Sequence, residues 1–184
     1  MRREKLTRTK VFDRLIGVFR QKGYDGASYG DLMKATGLVK ASLYHRFPRG
    51  KEEMVDAVLS EVDRRFHEYV LAPAFAKGAP RQRARRVAKR LEEFYSGGKQ
   101  WCLLDTLTLA EGKATLRHAR KSMRFWIDSF VRLSRDAGIS SGKARERAEE
   151  AIAAIEGGLI VARVSKSRRP FLRILAALPK RLTG

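Results

Sequence analysis

Phe12, Leu15, Ile16 and Phe19 stand three and four positions apart, the spacing that lines apolar side chains along one face of a helix. Gly23 ends the pattern, so a first helix is predicted over about 7–22. Ser28 then offers an N-cap hydroxyl, and Asp31 three residues on completes a capping box with Asp in place of the usual Glu. A second helix follows over about 29–36 with Leu32 and Met33 turned inward, and Gly37 ends it in the left-handed conformation that glycine adopts at least cost. A third helix, over about 40–47, has two turns and is too short to persist alone in water. Its Leu43 and Phe47 share one side, while Lys40, Ser42, Tyr44, His45 and Arg46 occupy the rest. Pro48 stops it. Gly50, Lys51, Glu52 and Glu53 then open a fourth helix, over about 51–70, whose apolar face runs from Met54 to Phe66.

Short helix, glycine turn, short helix is the helix-turn-helix arrangement. Leu43 and Phe47 would anchor the third helix on the first and fourth, leaving its polar side free to enter a groove. Beyond Pro73 the chain reads as helix throughout, over about 81–96, 101–111, 113–136, 143–163 and 168–182, with joints at Gly97-Gly98 and at 137–142. No β-alternation with hairpin signals, repeat or low-complexity tract interrupts it. The expected fold is all-α, with about nine helices: a helix-turn-helix domain over 1–52, a fourth helix linking onward, and a larger helical domain over 53–184.

Charge sharpens this picture. Forty Lys and Arg face twenty Asp and Glu in 184 residues, a formal net charge of +20, which implies an anionic partner. The first 52 residues hold 13 basic and 5 acidic side chains; 77–90 and 163–184 hold 7 basic and no acidic side chains each. The positive charge therefore extends well beyond the helix-turn-helix. Arg2, Arg3 and Lys5 suit either a minor-groove arm or a disordered tail.

Little in the sequence suggests catalysis. The one cysteine, Cys102, and the scattered His45, His67 and His118 lack metal-ligand spacing, and neither a phosphate loop nor a nucleophile elbow is present. The expectation is a non-enzyme without cofactor or metal. With no apolar run of about 18 residues and no signal segment, a cytoplasmic protein with no membrane partner is expected.

The stretch "DLMKATGLVKASLYHRFPRGKEEM" resembles the helix-turn-helix of the TetR family of transcriptional regulators: a Gly-apolar turn, a Lys-small-Ser-Leu-Tyr core, Phe-Pro, then Lys-Glu-x-apolar. The likeness covers residues 8 to about 60. "WCLLDTLTLAE", 101–111, is similar to a Gly-Cys-Leu-Leu stretch of one branch, with Trp101 in place of the glycine. Val39 departs from the family, standing where a serine usually caps the recognition helix.

The resemblance implies a homodimer on a palindromic double-stranded DNA operator, acting as a repressor released by a small-molecule effector. Carried over by position, Lys40 and Tyr44 would meet phosphate or base, and His45, Ser28, Tyr29 and Lys51 would meet phosphate. Lys40, Ser42 and Arg46 are the side chains expected nearest base edges. An effector cavity in the C-terminal half would draw on Trp101, Leu104, Leu107, Phe125, Trp126 and Phe130, a set whose helical spacing equally suits plain core. The last two helices carry a long aliphatic surface that a lone monomer would expose. It includes Ile152, Ile155, Leu159 and Ala162, then Phe171, Ile174, Leu175 and Leu178, so dimerisation through a four-helix bundle is expected there. The rival reading is a basic protein that coats nucleic acid without regard to sequence.

Overall fold

The structure, a computed structural model, describes residues 7–108 and 113–184, with backbone alone at 105, 108 and 113–115. Arg2, Arg3 and Lys5, and the last part of the 101–111 helix, lie outside the described residues. The fold is all-helical, as the TetR resemblance implied: α1 (Arg8–Gly26), α2 (Tyr29–Thr36), α3 (Lys40–Arg46), α4 (Lys51–Arg65), α5 (Ala72–Phe75), α6 (Pro80–Phe94), α7 (Leu103–Thr108), α8 (Lys113–Asp136), α9 (Ser141–Val164) and α10 (Arg169–Thr183). The predicted fourth helix continues without a break from α4 through a π-helical segment, Phe66–Leu71, into α5.

The chain divides into two compact units. One comprises the chain up to Val62 together with Leu103–Ala119; the other comprises Asp63–Cys102 and Arg120–Gly184. In the first unit the apolar stripe of α1 is buried, and Leu32, Leu43, Phe47 and Met54 close over it from α2, α3 and α4. Phe12 meets Phe47 edge to face with centroids 6.5 Å apart, so the third helix is held by the anchors its sequence advertises.

The punctuation residues behave as their chemistry dictates. Gly23 breaks α1 with φ 66° and ψ −169°. Ser28 Oγ accepts from the Asp31 N–H at 3.1 Å while the Asp31 carboxylate accepts from the Ser28 N–H at 3.1 Å, closing the capping box. Gly37 sits at φ 70°, ψ 13°, and its N–H returns to the Met33 carbonyl. Val39, the N-cap of α3, makes no side-chain cap bond.

α7 joins this core. Leu107 is fully buried in the core of this first unit and Leu104 packs against it. Helical spacing marked both as apolar anchors but could not say which core they fill.

In the second unit α10 packs on both α6 and α9. Gly158 permits the α9 contact: a Cβ there would stand 2.5 Å from Ile174 Cδ1. Arg83 is buried, and its guanidinium donates to Asp136 Oδ2 at 2.6 Å and to the Ala74 and Ala76 carbonyls at 3.0 and 3.3 Å.

The surface expected to form a dimer is largely covered within one chain. Ile152, Ile155, Leu159, Ala162, Phe171, Leu175 and Leu178 are all buried within one chain, and Ile174 is half-buried against Gly158. The small residues of α9 let α10 of the same chain dock closely, so this face is covered intramolecularly. What α9 leaves in solvent is a different stripe: Ile160, Val161 and Val164, exposed by 51, 50 and 78%.

Candidate nucleic-acid interface

The polar side of α3 is presented to solvent because its apolar side is spent on the core. Val39, Lys40, Ala41, Tyr44, His45 and Arg46 are exposed and Ser42 is half-buried; Ser28 at the start of α2 is exposed and Tyr29 half-buried. An α-helix is about 10–12 Å across with its side chains, a match to a DNA major groove about 12 Å wide.

Tyr29 and Tyr44 form the platform of this face. Their rings are stacked with centroids 5.5 Å apart and planes 13° from parallel. The neighbouring Tyr44 hydroxyl, and then burial, lift the Tyr29 pKa above that of an ordinary tyrosine. The Lys40 ammonium lies 5.6 Å from the Tyr29 centroid and 5.9 Å from that of Tyr44, within reach of both π faces. Three of the residues singled out in the sequence thus form one cationic and aromatic cluster.

Beneath it the backbone comes close. A Cβ at Gly50 would stand 2.5 Å from the Tyr29 hydroxyl, and Gly50 has φ 69°, so no other residue fits there without displacing the tyrosine. The sequence marked Gly50 as a helix start but gave no sign of this approach.

Lys51 is engaged within the protein. Its ammonium donates to the Tyr24 and Ala27 carbonyls at 2.8 and 3.3 Å and lies 4.4 Å over the Tyr24 ring. Its N–H donates to the Tyr29 hydroxyl at 3.2 Å. Through the two carbonyls the side chain clamps the end of α1 to the start of α4.

Two supports went unrecognised in the sequence. Arg14 of α1 donates to the Thr36 carbonyl at 3.0 Å, and the buried Thr36 hydroxyl donates to the Leu32 carbonyl at 2.6 Å while accepting from the Leu38 N–H at 3.3 Å. Together they fix the turn between α2 and α3. Lys22 holds Asp31 at 2.6 Å; this ammonium first, and then the Ser28 bonds, lower the Asp31 pKa from 3.8 to about 2.

The aromatic residues expected around an effector have these neighbours within the second unit. Trp126 is buried in an aromatic chain, 4.9 Å from Phe66 and 6.0 Å from Phe130. Phe125 turns outward against His67 and Phe75, at 4.0 and 5.9 Å. Trp101 is half-buried under the Arg163 guanidinium, 3.7 Å from its ring.

Residues 13–58 match the family model of bacterial regulatory proteins of the tetR family, and residues 78–177 match that of the LmrA/YxaF-like transcriptional regulator C-terminal domain. The chain is 24% identical over 178 residues to the HTH-type transcriptional regulator LmrA of Bacillus subtilis, covering 94% of this chain and 95% of that protein. Over 42 residues, 23% of each chain, it is 43% identical to IcaR of Staphylococcus aureus, a negative transcriptional regulator of a biofilm operon. A TetR regulator from Legionella pneumophila shares the fold, with a TM-score of 0.85 at 18% identity over 98% of both chains. With a helix-turn-helix whose polar face is free and family matches on both parts of the chain, this protein belongs to the TetR family of DNA-binding transcriptional regulators.

Proposed function

We propose that this chain represses transcription as a homodimer, laying one α3 from each protomer into the major groove of a palindromic operator and releasing it when a small molecule binds the second unit. The cluster of Lys40 and Tyr44, exposed on a helix whose opposite side is locked into the core, with half-buried Tyr29 of α2 stacked against them, carries the reading. Lys40 offers charge to phosphate or to the acceptors of guanine, and the stacked hydroxyls offer hydrogen bonds to the backbone. Ser42 and Arg46 flank the same surface. His45 adds a donor at its edge, Ser28, whose hydroxyl donates to Asp31 at 2.7 Å, fixes the start of α2 beside it, and Lys51 contributes by holding Tyr29 in place.

For the dimer, Ala153, Gly157, Ile160, Val161 and Val164 fall on one face of α9 at three- and four-residue spacing, and all but Gly157, half-buried, are exposed. An apolar stripe of this kind suits packing against its own copy. For the effector, Trp126 Nε1 and Ser134 Oγ are buried without a hydrogen-bond partner among the described residues. They stand eight positions apart on one side of α8, with Phe130 between them. A buried donor left unpaired is costly, and an acceptor atom on a ligand would relieve it. Release from DNA then requires that the ligand prefer the form that binds DNA poorly.

Selection of random duplexes with the purified protein tests this reading. Enrichment of an inverted repeat supports it. A pool that stays random through successive rounds favours a sequence-tolerant coating protein instead.

A further inference from the structure

The two segments of the sequence that carry only positive charge meet in one place. α6 lies along α10, and between them runs a groove of about 450 Å³. α6 lines it with Arg81, Arg85, Ala88, Lys89 and Glu92, positions that share one helix face. α10 lines it with Leu172, Leu175, Ala176, Pro179 and Lys180, again one face. The floor is apolar and largely shut off from solvent: Ala88, Leu175 and Pro179 are buried and Leu172 is half-buried. The lips are cationic.

Those cations are poorly compensated. The Lys89 ammonium is 4.0 Å from Glu93 on its own helix. Arg81, Arg85 and Lys180 enter no ion pair among the described residues, and Glu92 is the groove's one acid. Like charges at i and i+4, as at Arg81, Arg85 and Lys89, repel on a helix surface. A solvated basic face would have no need of a concave apolar floor beneath its charges. The volume falls within the range of about 300–1,000 Å³ in which proteins hold small molecules.

We propose that the α6/α10 groove binds a small amphipathic anion, an aliphatic or aromatic body on the Leu172, Leu175 and Pro179 floor with its carboxylate between Arg81, Arg85 and Lys180. The site shares no residue with the α3 surface or with the Trp126 core, so it stands independently of the proposed repressor mechanism. It gives the positive charge far from the helix-turn-helix a partner other than DNA.

Titration calorimetry of the full-length protein with dodecanoate below its micelle concentration tests the site, with dodecylamine and inorganic phosphate as controls. Dodecanoate is expected to bind saturably and both controls at least about tenfold more weakly. The triple variant R81Q/R85Q/K180Q is expected to lose about tenfold or more in dodecanoate affinity. Ala176→Trp, which fills the groove from its exposed edge, should do the same. Both variants should keep wild-type circular dichroism and wild-type affinity for duplex DNA. The proposal is overturned if dodecanoate fails to saturate, if dodecylamine or phosphate binds equally well, or if either folded variant binds dodecanoate like wild type. Loss of duplex affinity in the triple variant, with dodecanoate binding intact, would reassign the groove to nucleic acid.

Discussion

The Tyr29 ring lies flat against that of Tyr44, centroids 5.5 Å apart, with the backbone of Gly50 close behind the Tyr29 hydroxyl. α2, α3 and the start of α4 thus meet in one contact, and the side chains offered to DNA are set by packing rather than by the short helix's own stability. Gly50→Ala would put a methyl group 2.5 Å from that hydroxyl at a φ of 69°. The expected cost is about 1–3 kcal/mol of folding stability, read from urea denaturation, together with weaker operator binding as the pair separates.

Lys51 distinguishes support from contact. Because its ammonium serves the Tyr24 and Ala27 carbonyls, Lys51→Met should lower stability and operator affinity while leaving the slope of log K against log salt unchanged. Lys40→Ala should do the reverse, sparing stability and reducing the magnitude of the slope by about 1. A slope change for the Lys51 variant matching that of Lys40 would assign it a phosphate after all.

The capping box of α2 responds to acid. The Asp31 carboxyl, held at about 2 by Lys22 and Ser28 against an ordinary 3.8, binds its proton more weakly folded than unfolded. Its contribution to stability is therefore complete above about pH 4 and is lost as pH falls toward 2. Asp31→Asn should flatten that part of the stability profile followed by circular dichroism, whereas Ser28→Ala should cost about 1 kcal/mol at neutral pH.

α9 offers two apolar faces with opposite expected behaviour. Val161→Glu, on the exposed face, should dissociate the dimer in sedimentation velocity and leave the protomer folded. Ile155→Ala, on the face covered by α10, should cost about 2–5 kcal/mol of folding stability and leave the association state of folded protein unchanged.

How much of this was legible in the sequence follows from what spacing encodes. The stripe from Phe12 to Phe19, the Ser28 and Asp31 box, Gly37 and the anchors Leu43 and Phe47 are local signals, and each appears in the fold where its chemistry puts it. Leu104 and Leu107 show the limit: period reports that a side chain is buried, not which core receives it. α9 shows another, since a helix apolar on two sides does not say which side its own chain will cover. Lys51 shows a third, because its four-carbon stem can reach inward or outward, and its ammonium meets the Tyr24 and Ala27 carbonyls. The meeting of the two basic segments on α6 and α10 is a long-range packing outcome that no local pattern contains.

The most direct measurement is a pair of fluorescence-anisotropy titrations at about 0.15 M salt, one with the selected operator and one with a scrambled duplex, each run for wild type and for K40A/Y44A. The expected result is a preference for the operator of about 10³-fold or more in wild type, collapsing toward parity in the variant while its fold persists. Equal affinity for both duplexes in wild type, or an undiminished preference in the variant, would contradict the assignment of α3 as the reading element.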